Sequence, residues 1–316
     1  TVLLIKEYSM AYPIDDKLVI AVASSALFDL SESDRIFRTQ GETAYRQYQE
    51  EHLDMPLKTG VAFPFVRRFL SINQSFPAQS PVEVVLLSRN SAITGKRVFR
   101  SIHHYGLDIT RAAFLEGKSP YAYIPAFNAS LFLSGNESDV QQAIDYGHPA
   151  GTVFPSQVVD DQDDCELRIA FDFDGVIADD ASERVFKTDS LEAFQAHESS
   201  NAHIPHSPGP LADLFRKMSA LQKLEDRAVA DNANYRRQLR TAIVTARNAP
   251  SHERVLTTLE HWGVEANEVF FLGGMQKDRI LQVLKPHIFF DDQRSHLEPA
   301  AGNVPMVHIP FGVANS

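Results

Sequence analysis

The sequence LRIAFDFDGVI, residues 167–177, decides the fold. Its apolar beginning is suited to a buried strand. It continues into two carboxylates, Asp172 and Asp174, and then Gly175, whose backbone can turn sharply. If the strand ends at Phe171, both carboxylates lie at the carboxyl edge of a sheet, where open α/β sheets bind ligands. Two acids this close repel each other unless a cation or a shared proton relieves them, and a divalent metal together with a phosphate would use both acids.

Three downstream stretches place complementary side chains after predicted strands. Thr245 offers a hydroxyl to a phosphate oxygen, and Lys277 can neutralise both a phosphate and a nucleophile. Asp291 and Asp292 can complete the oxygen-rich coordination sphere that Mg²⁺ prefers. A surface Asx turn at the paired carboxylates, and Lys285 in place of Lys277, are the alternatives. The order favours phosphoryl transfer, in which one carboxylate attacks phosphorus and the other handles a proton.

The composition is that of an ordinary folded protein. The 316 residues suffice for two domains, and 44% hydrophobic with 22% charged residues is usual for a globular chain. The net charge of −11 argues against a general nucleic-acid surface. The one cysteine, Cys165, excludes an intramolecular disulfide and is expected to be buried at a strand edge. Neither a membrane span nor a secretory signal is apparent, which favours a cytoplasmic setting.

An acidic segment, residues 156–166, divides the chain, and we interpret it as a linker between domains 1–160 and 161–316. Tyr45, Tyr48 and His52 lie at helical spacing and are interpreted as packing residues. Apolar runs bounded by turn residues predict strands at 18–23, 82–87, 112–115, 129–133, 153–154, 167–171, 242–244, 269–272, 288–290 and 304–309. Helices are predicted at 31–58, 63–70, 95–104, 141–146 and 251–261.

Residues 182–238 are a polar, helical insertion, broken at 203–210 by His, Ser, Pro and Gly. An insertion of about 57 residues is too long for a plain connection, so we interpret it as a cap over the site. Its histidines, His197, His203 and His206, are interpreted as surface residues rather than as contacts to a ligand.

The two halves of the chain resemble each other at a fixed offset. The first strands match at an offset of 149, with residues 18–21 on 167–170. Four further blocks match at an offset of 157: LLS at 86–88 on IVT at 243–245, HYGLD at 104–108 on HWGVE at 261–265, FLEG at 114–117 on FLGG at 271–274, and LFLS at 131–134 on IFFD at 288–291. The alternative to an internal repeat is a chance similarity between two α/β segments.

The matched positions differ in chemistry, because the first half lacks every carboxylate of the second. The replacements are Ala23 for Asp172, Ser25 for Asp174, Ser134 for Asp291 and Gly135 for Asp292. We therefore interpret the first half as a degenerate copy that serves structure, binding or regulation. Its strand ends keep hydroxyl, amide and cationic groups that can hold a phosphate or nucleotide without hydrolysing it: Ser24, Ser25, Ser88, Arg89, Asn90, Ser91 and Lys118.

The motif order resembles the haloacid dehalogenase-like hydrolases. More closely, it is similar to the type I, AMP-preferring cytosolic 5′-nucleotidase family, and the similarity covers nearly the whole chain. It rests on 167–176, 242–254, 270–277 and 289–293, and in the first half on 84–90, 99–113 and 125–135. The resemblance implies an α/β fold of two Rossmann-like, haloacid dehalogenase-type halves from an internal repeat, the second catalytic with a helical cap insertion.

The resemblance implies hydrolysis of nucleoside 5′-monophosphates, AMP-like or IMP-like, through an aspartyl-phosphate with Mg²⁺. Asp172 would be the nucleophile, and Asp174 the acid and base whose backbone carbonyl also ligates the metal. The substrate-binding set would be Thr245, Ala246, Arg247 and Lys277, with a structural salt bridge as the alternative role of Arg247. The metal site would comprise Asp172, Asp174, Asp291 and Asp292, with Asp291 as the direct ligand and Asp292 as the group that orients it or Lys277.

Two other functions stay open at this point. One is a phosphatase of the same superfamily that acts on another small phosphate ester, and the other is a nucleotide-sensing protein. The intact nucleophile argues against a pure binder. The expected partners are a nucleoside monophosphate substrate and a nucleotide effector, since type I enzymes respond to nucleoside diphosphates. Neither nucleic acid nor membrane is expected as a partner, and a homo-oligomer is left open.

Overall fold

The structure, a computed structural model, describes residues 12–188, 191–298 and 302–315. The start of the predicted first domain, residues 1–11, lies outside the described residues. Among the helices in these ranges, none is long and apolar enough to cross a membrane.

Ten strands of the described residues form one sheet. They are β1 Leu18–Val22, β2 Val82–Ser88, β3 Arg111–Phe114, β4 Ala129–Ser134, β5 Ala150–Val153, β6 Leu167–Phe171, β7 Leu239–Thr245, β8 Glu268–Phe271, β9 Ile288–Asp291 and β10 Met306–His308. Their order is β3-β2-β1-β4-β5-β10-β9-β6-β7-β8. Every neighbouring pair is parallel except β5 and β10, which are antiparallel. The mixed α/β class is confirmed, with a large and mostly parallel sheet.

The strand order reads alike from both outer edges of the sheet. From one edge it is β3-β2-β1-β4-β5, and from the other it is β8-β7-β6-β9-β10. The inner strands are apolar along their length because helices cover both faces of a parallel sheet. All residues of β1 and β2 are buried, and in β6 only Arg168 is partly exposed. The continuous apolar runs that predicted these strands have this physical origin.

Helices connect the strands, and most lie where the sequence predicts them. The helix predicted at 141–146 begins earlier, because the Asn136 side chain accepts the Asp139 N–H at 3.1 Å and caps the first turn. The helix predicted at 31–58 ends at Glu51 and is interrupted at Gly41, where φ is 84°. The helices are α1 Ser24–Leu27, α2 Ser31–Glu51, α3 Phe63–Ser75, α4 Gly95–His104, α5 Glu137–Asp145, α6 Ala181–Thr188, α7 Leu191–Ser200, α8 Ala212–Asp231, α9 His252–Trp262, α10 Asp278–Leu284 and α11 Arg294–Leu297.

The segment interpreted as a linker has no regular structure, but it is anchored. Asp160 pairs with Arg68 at 2.6 Å and with Arg67 at 3.0 Å. The expectation that Cys165 is buried is wrong, since its side chain is exposed. Cys165 precedes the first buried residue of β6, Leu167, and therefore lies on the solvent side of the strand's start. The division into two domains stays a prediction.

Helix α8 lies against the sheet rather than over a strand end. Its Phe215 ring meets the Phe171 ring of β6 edge-on, with the centroids 5.4 Å apart. Ser130 of β4 accepts a hydrogen bond from Lys217 and donates one to Asp213, both at 2.7 Å. The predicted cap, 182–238, therefore includes a helix of the sheet-packing layer, because α8 has an apolar face that the sheet buries.

Candidate active site

The predicted acidic residues and the hydroxyl meet at the carboxyl edge of three adjacent strands. Asp172 directly follows β6, Asp291 ends β9 and Thr245 ends β7. In the parallel register, Phe171 is aligned with Phe290 on one side and with Ile243 on the other. The order β9-β6-β7 therefore places the three side chains next to one another, as parallel strands require.

Lys277 joins two of these carboxylates. Its Nζ lies 2.6 Å from Asp172 Oδ2 and 2.7 Å from Asp291 Oδ2. Burial disfavours the ammonium, but the Asp172 and Asp291 carboxylates outweigh burial and raise the pKa of Lys277. Lys285, the alternative, is at the far end of α10, and its carbonyl accepts from Arg168 near the start of β6. The structure therefore brings Lys277, and not Lys285, to the carboxylates.

Asp292 is a buried carboxylate left without compensation. Neither oxygen has a hydrogen-bond partner among the residues that the structure describes. Burial, followed by the nearby charges of Asp172 and Asp291, raises the pKa of Asp292 to about 10. Burial is also the main cause that raises the pKa of Asp172 to about 7, against the opposing effect of Lys277. Three carboxylates facing one ammonium fit a site that a hard cation completes.

Gly175 makes room for Asp292. The glycine has φ of 70°, and a Cβ added there would lie 2.5 Å from Asp292 Oδ2.

Both oxygens of the Asp291 carboxylate have partners. The Gln293 backbone N–H donates to Oδ1 at 2.8 Å, and His296 Nδ1 lies 3.2 Å from Oδ2. Ligand atoms of Asp172, Asp291 and His296 lie within 4.8 Å of one another and could hold a metal ion.

Arg247 binds Asp174 through two nitrogens. Nε lies 2.7 Å from one carboxylate oxygen and Nη2 lies 2.6 Å from the other. The other terminal nitrogen of Arg247 donates to Glu198 of α7. Thr245 Oγ1 accepts from the backbone N–H of Arg247 at 3.3 Å, and the carbonyl of Ala246 accepts from Gly274. The structure thus places Arg247 in a salt-bridge network at the acid–base candidate.

The histidines of the insertion differ in their surroundings. His203 is exposed, as predicted, and His197 is partly exposed. The prediction for His206 is wrong, because this side chain is only 3% exposed. Its Nε2 lies 3.2 Å from Arg247 Nη2, and its Nδ1 lies 3.6 Å from Asp179. The packing of the insertion against the loop after β7 buries it, and a polar sequence carries no signal of that contact.

Comparison with known proteins gives the family. The family model described as 5′-nucleotidase matches residues 10–316. The chain belongs to the 5′-nucleotidase family. Human cytosolic 5′-nucleotidase 1B is 35% identical over 289 residues, which are 90% of this chain and 47% of the human protein. The chain therefore spans about half the length of this curated relative.

The family and this relative are hydrolases by name, which confirms the resemblance found in the sequence. A solved structure titled "S. aureus MnaA-UDP co-structure" covers 92% of this chain and 78% of its own, with 9% identity and a TM-score of 0.21. A similarity this low carries no argument about fold or ligand.

In this 5′-nucleotidase-family chain the first-half edge of the sheet carries hydroxyls. Ser24 Oγ lies 2.9 Å from Ser88 Oγ, and Ser25 Oγ accepts from the backbone of Gly135 at 3.1 Å. Tyr48 stacks on His52 with centroids 4.1 Å apart, consistent with packing residues. A cavity of about 650 Å³ opens between α2 and this edge, lined by Asp34, Phe37, Arg38, Glu42, Tyr45, Arg46, Arg89, Asn90, Ser91, Thr94, Glu116, Gly117 and Asn136.

The sequence reasoning missed Glu198 and His296, which contact predicted site residues. His296 follows Asp291 by five residues, a spacing from a strand end into the next helix that could have marked it. Glu198 lies in a polar helix with many charged neighbours in sequence, and no local signal distinguishes it.

Proposed function

We propose that this chain hydrolyses nucleoside 5′-monophosphates to nucleoside and phosphate, using Mg²⁺ and an aspartyl-phosphate at Asp172. The observation that carries the proposal is the lysine bridge between Asp172 and Asp291 at the ends of adjacent parallel strands, beside Thr245. Membership of the 5′-nucleotidase family supports the reaction class. The activity of the named relative supports it as well, although the chain spans only part of that protein.

The residues present fit a magnesium site. Asp172, the backbone carbonyl of Asp174 and Asp292 would hold the ion, because hard cations bind oxygen ligands and keep several waters. We assign the direct contact to Asp292, the role that the sequence gives to Asp291. Asp291 already binds Lys277 and the Gln293 N–H, whereas both oxygens of Asp292 lack a partner in the described ranges. Bound Mg²⁺ would offset the charge of these carboxylates and of the phosphate.

The protein's own groups divide the reaction into two steps. Asp172 Oδ forms a bond to phosphorus as the bond to the 5′-oxygen breaks, and Asp174, in its protonated form, gives that oxygen its proton. Asp174 then takes a proton from water as the water attacks the aspartyl-phosphate, which releases phosphate and restores Asp172. Lys277 and Thr245 donate to the phosphoryl oxygens in both steps, and such fixed donors supply much of the catalysis of phosphoryl transfer.

We also propose that α6 and α7 form the cap and that the two halves come from an internal repeat. The equal strand order read from the two edges of the sheet supports the repeat. Asp172, Thr245 and Lys277 are all buried, so a substrate enters only if a covering element moves. The contact between α7 and Arg247 makes α7 the natural covering element. The cytoplasmic setting and a homo-oligomer stay predictions.

A panel of phosphate esters, assayed with Mg²⁺ and after chelation, tests the function. Nucleoside 5′-monophosphates should be hydrolysed fastest, and only with the metal. Faster hydrolysis of sugar phosphates would favour the broader phosphatase. Tight nucleotide binding without turnover in the presence of Mg²⁺ would favour a sensor and contradict the proposal. The Asp172→Asn protein, which should bind nucleotide without turnover, is the control for contaminating phosphatases.

A nucleotide effector site in the first half is our second proposal, and the cavity beneath α2 favours it. Its volume lies in the range of small-molecule pockets, and aromatic rings, guanidinium groups and amides line it. Arg89 reaches the cavity but also binds Asp139 through Nε at 2.8 Å. Nucleotide binding is measured on Asp172→Asn protein, then with Arg89→Ala or Lys118→Ala added. Two binding events, one lost on substitution, support the site; a single event that ignores both substitutions leaves the first half as scaffold.

A further inference from the structure

The segment that follows β10 returns to the end of β9 and binds the backbone there. Ile309 N–H donates to the carbonyl of Asp291 at 3.0 Å. The next carbonyl, that of Asp292, lies 2.9 Å from Asn315 Nδ2 and 3.0 Å from His308 Nε2. A carbonyl oxygen has two lone pairs, so both nitrogens can donate to it at once. The backbone of the proposed metal ligand Asp292 is therefore held by side chains from later in the chain.

The amide of Asn315 has a defined orientation because its two polar atoms face different partners. Nδ2 donates to the carbonyls of Asp292 and Phe311, the second at 2.8 Å, whereas Oδ1 lies 2.9 Å from His308 Nε2. A flipped amide would place its oxygen against two carbonyl oxygens, neither of which donates. The His308 contacts require the ring proton on Nε2, since both partners of this nitrogen are acceptors. Asn315, His308 and the Asp292 carbonyl therefore bind one another in a closed ring.

Asp180 anchors the middle of this segment. Val313 N–H donates to Asp180 Oδ2 at 2.9 Å, and Asp180 is only 3% exposed, just before α6. Gly312 turns the chain with φ of 74°, and a Cβ added there would lie 2.8 Å from Asp180 Oδ2. Glycine therefore suits this position both for its backbone angle and for its close approach to the carboxylate. The segment thus reaches Asp292 from an anchored turn.

The side chain of Asp292 is unfavourable where it stands. Its two oxygens have no hydrogen-bond partner in the described ranges, and they face the charges of Asp172 and Asp291. Repulsion and burial both favour a movement of the charged carboxylate away from the site. Because the backbone carbonyl of Asp292 is bound twice, this part of the chain is not free to shift and relieve the repulsion. Hydrogen bonds behind a metal ligand orient it in this way.

We propose that Asn315, with His308 as its partner, is a positioning residue that holds Asp292 ready for the metal ion. The inference rests on the proposed magnesium site, whereas the contacts of Asn315 do not. Neither side chain forms or breaks a bond to phosphorus in the reaction proposed above. Loss of either donor should therefore act through metal affinity, which the outer partners of metal ligands typically change by about 10–100-fold.

Mn²⁺ binding without substrate tests the inference. Mn²⁺ prefers the same oxygen ligands as Mg²⁺, and its electron paramagnetic resonance signal reports the free ion. In Asn315→Ala the Kd for Mn²⁺ should rise by about 10-fold, because Asp292 loses an N–H donor behind it. Asn303→Ala, at an exposed position before β10, is the control and should keep the wild-type Kd. An unchanged Kd in Asn315→Ala would overturn the inference.

Two variants of His308 separate hydrogen bonding from volume. His308→Gln keeps an N–H donor close to the position of Nε2, whereas His308→Leu fills similar space without a donor. The Kd for Mn²⁺ should rise by about 10-fold in His308→Leu and by less in His308→Gln. Equal Kd values in these two variants would contradict the role of the hydrogen bond to the Asp292 carbonyl.

Thermal melts in EDTA and in Mg²⁺ separate positioning from a loss of stability. Asn315→Ala should melt at a lower temperature than the wild type in EDTA, because two carbonyls lose their donor. A bound metal stabilises the folded protein less as its Kd rises, so the increase in melting temperature on adding Mg²⁺ should also be smaller. A lower melting temperature with a wild-type increase would show a structural role alone and would overturn the inference.

The inference and the proposed function can fail separately. Mn²⁺ binding needs no turnover, so a wild type that binds Mn²⁺ but hydrolyses no phosphate ester would contradict the proposed function, and the Kd of Asn315→Ala would still decide the inference. An active wild type with the same Kd as Asn315→Ala would contradict the inference alone. A wild type that binds neither Mn²⁺ nor Mg²⁺ would overturn both.

Discussion

The carboxyl ends of the strands in the two halves share the same strand order and differ in charge. In the second half, Lys277 bridges Asp172 and Asp291 at the ends of β6 and β9. In the first half, at the ends of β1 and β2, a hydrogen bond joins Ser24 to Ser88 at 2.9 Å. Counted from the outer edge of each half, β1, β2 and β4 correspond to β6, β7 and β9, so Ser24 and Ser88 lie on the counterparts of the strands that end at Asp172 and Thr245. The order of the strands therefore determines which strand ends are adjacent, and the side chains at those ends determine the chemistry.

The difference also shows what each edge requires for stability. Buried hydroxyls satisfy each other, so the first-half edge is complete as it stands. The second-half edge buries carboxylates that one ammonium does not balance, and burial, followed by the charges of Asp172 and Asp291, raises the pKa of Asp292 to about 10. A protein keeps such an arrangement at functional sites, where charge is arranged for a ligand rather than for stability.

The largest expected effect on turnover is the difference between replacing one buried carboxylate by an amide in the second half and doing the same in the first half. Asp172→Asn should lower turnover by at least about 10³-fold, because it removes the attacking oxygen at nearly constant shape. Asp139→Asn makes the same change at a buried carboxylate of the first half, one that binds Arg89. It should leave turnover within about twofold of wild type, since surface and scaffold changes away from the site act mainly on stability. Equal losses of turnover in both variants would contradict the proposal that only the second half is catalytic.

The metal requirement should separate Asp292 from Asp291. Asp292→Asn should raise the Mg²⁺ concentration for half-maximal activity by about 10-fold or more, and added Mg²⁺ should restore turnover, because a weakened ligand set still binds at higher concentration. Asp291→Asn should lose turnover that added Mg²⁺ does not restore, because it frees Lys277 from its place. The reverse pattern would assign the direct contact to Asp291. Steady-state assays over a Mg²⁺ titration measure both.

Much of the second-half site could be predicted from sequence because its parts follow strands that are apolar throughout. The predicted ends of β6 and β9 differ by at most one residue from the observed ends at Phe171 and Asp291. Because these strands are parallel and adjacent, their register brings the carboxylates of Asp172 and Asp291 together. Glu198 and His206 could not be predicted, because their burial depends on how the insertion packs. Cys165 shows the same limit: an apolar residue beside a strand is buried only if the strand has begun.

A smaller effect is expected for the hydroxyls at the ends of β7 and β2. Thr245→Ala should lower kcat/KM by about 10–100-fold, because it removes one donor to the phosphoryl oxygens. Ser88→Ala, at the matched position of the first half, should leave kcat/KM within about twofold, although it breaks the bond to Ser24. Kinetics with one nucleoside monophosphate at saturating Mg²⁺ compare the two. A loss of similar size in Ser88→Ala would mean that the first half contributes to turnover.

The smallest effect concerns the amino ends of β9 and β4, where His287, just before β9, matches Ser130 in β4. Burial, with Arg68 and Arg168 nearby, lowers the pKa of His287 from 6.5 to about 4, and its Nδ1 accepts from Arg168 N–H. As the pH falls, His287 therefore takes up its proton at a higher pH in the unfolded chain than in the folded protein. The contribution of neutral His287 to the free energy of unfolding is fully present above about pH 6.5 and is lost as the pH falls toward 4. At pH 5 the loss is at most about 2 kcal/mol.

Thermal melts at pH 7 and pH 5 check this prediction. His287→Asn keeps an acceptor but does not titrate in this range, so its stability should fall less between the two pH values than that of the wild type. Ser130→Ala should keep the wild-type slope, since serine does not titrate. An unchanged slope in His287→Asn would show that other groups cause the acid sensitivity.

Trapping of the phosphorylated enzyme tests the central claim most directly. Asp174→Asn protein is mixed with p-nitrophenyl [³²P]phosphate, whose leaving group needs no proton from Asp174, and Mg²⁺; it is quenched in acid within one turnover and mapped by peptide mass spectrometry. We predict phosphate on the peptide with Asp172, none on peptides of residues 12–160, and none in the protein that also carries Asp172→Asn. Turnover by the wild type with no trapped phosphate, or with phosphate on another residue, would contradict the assignment of Asp172 as the nucleophile and of the second half as the catalytic one.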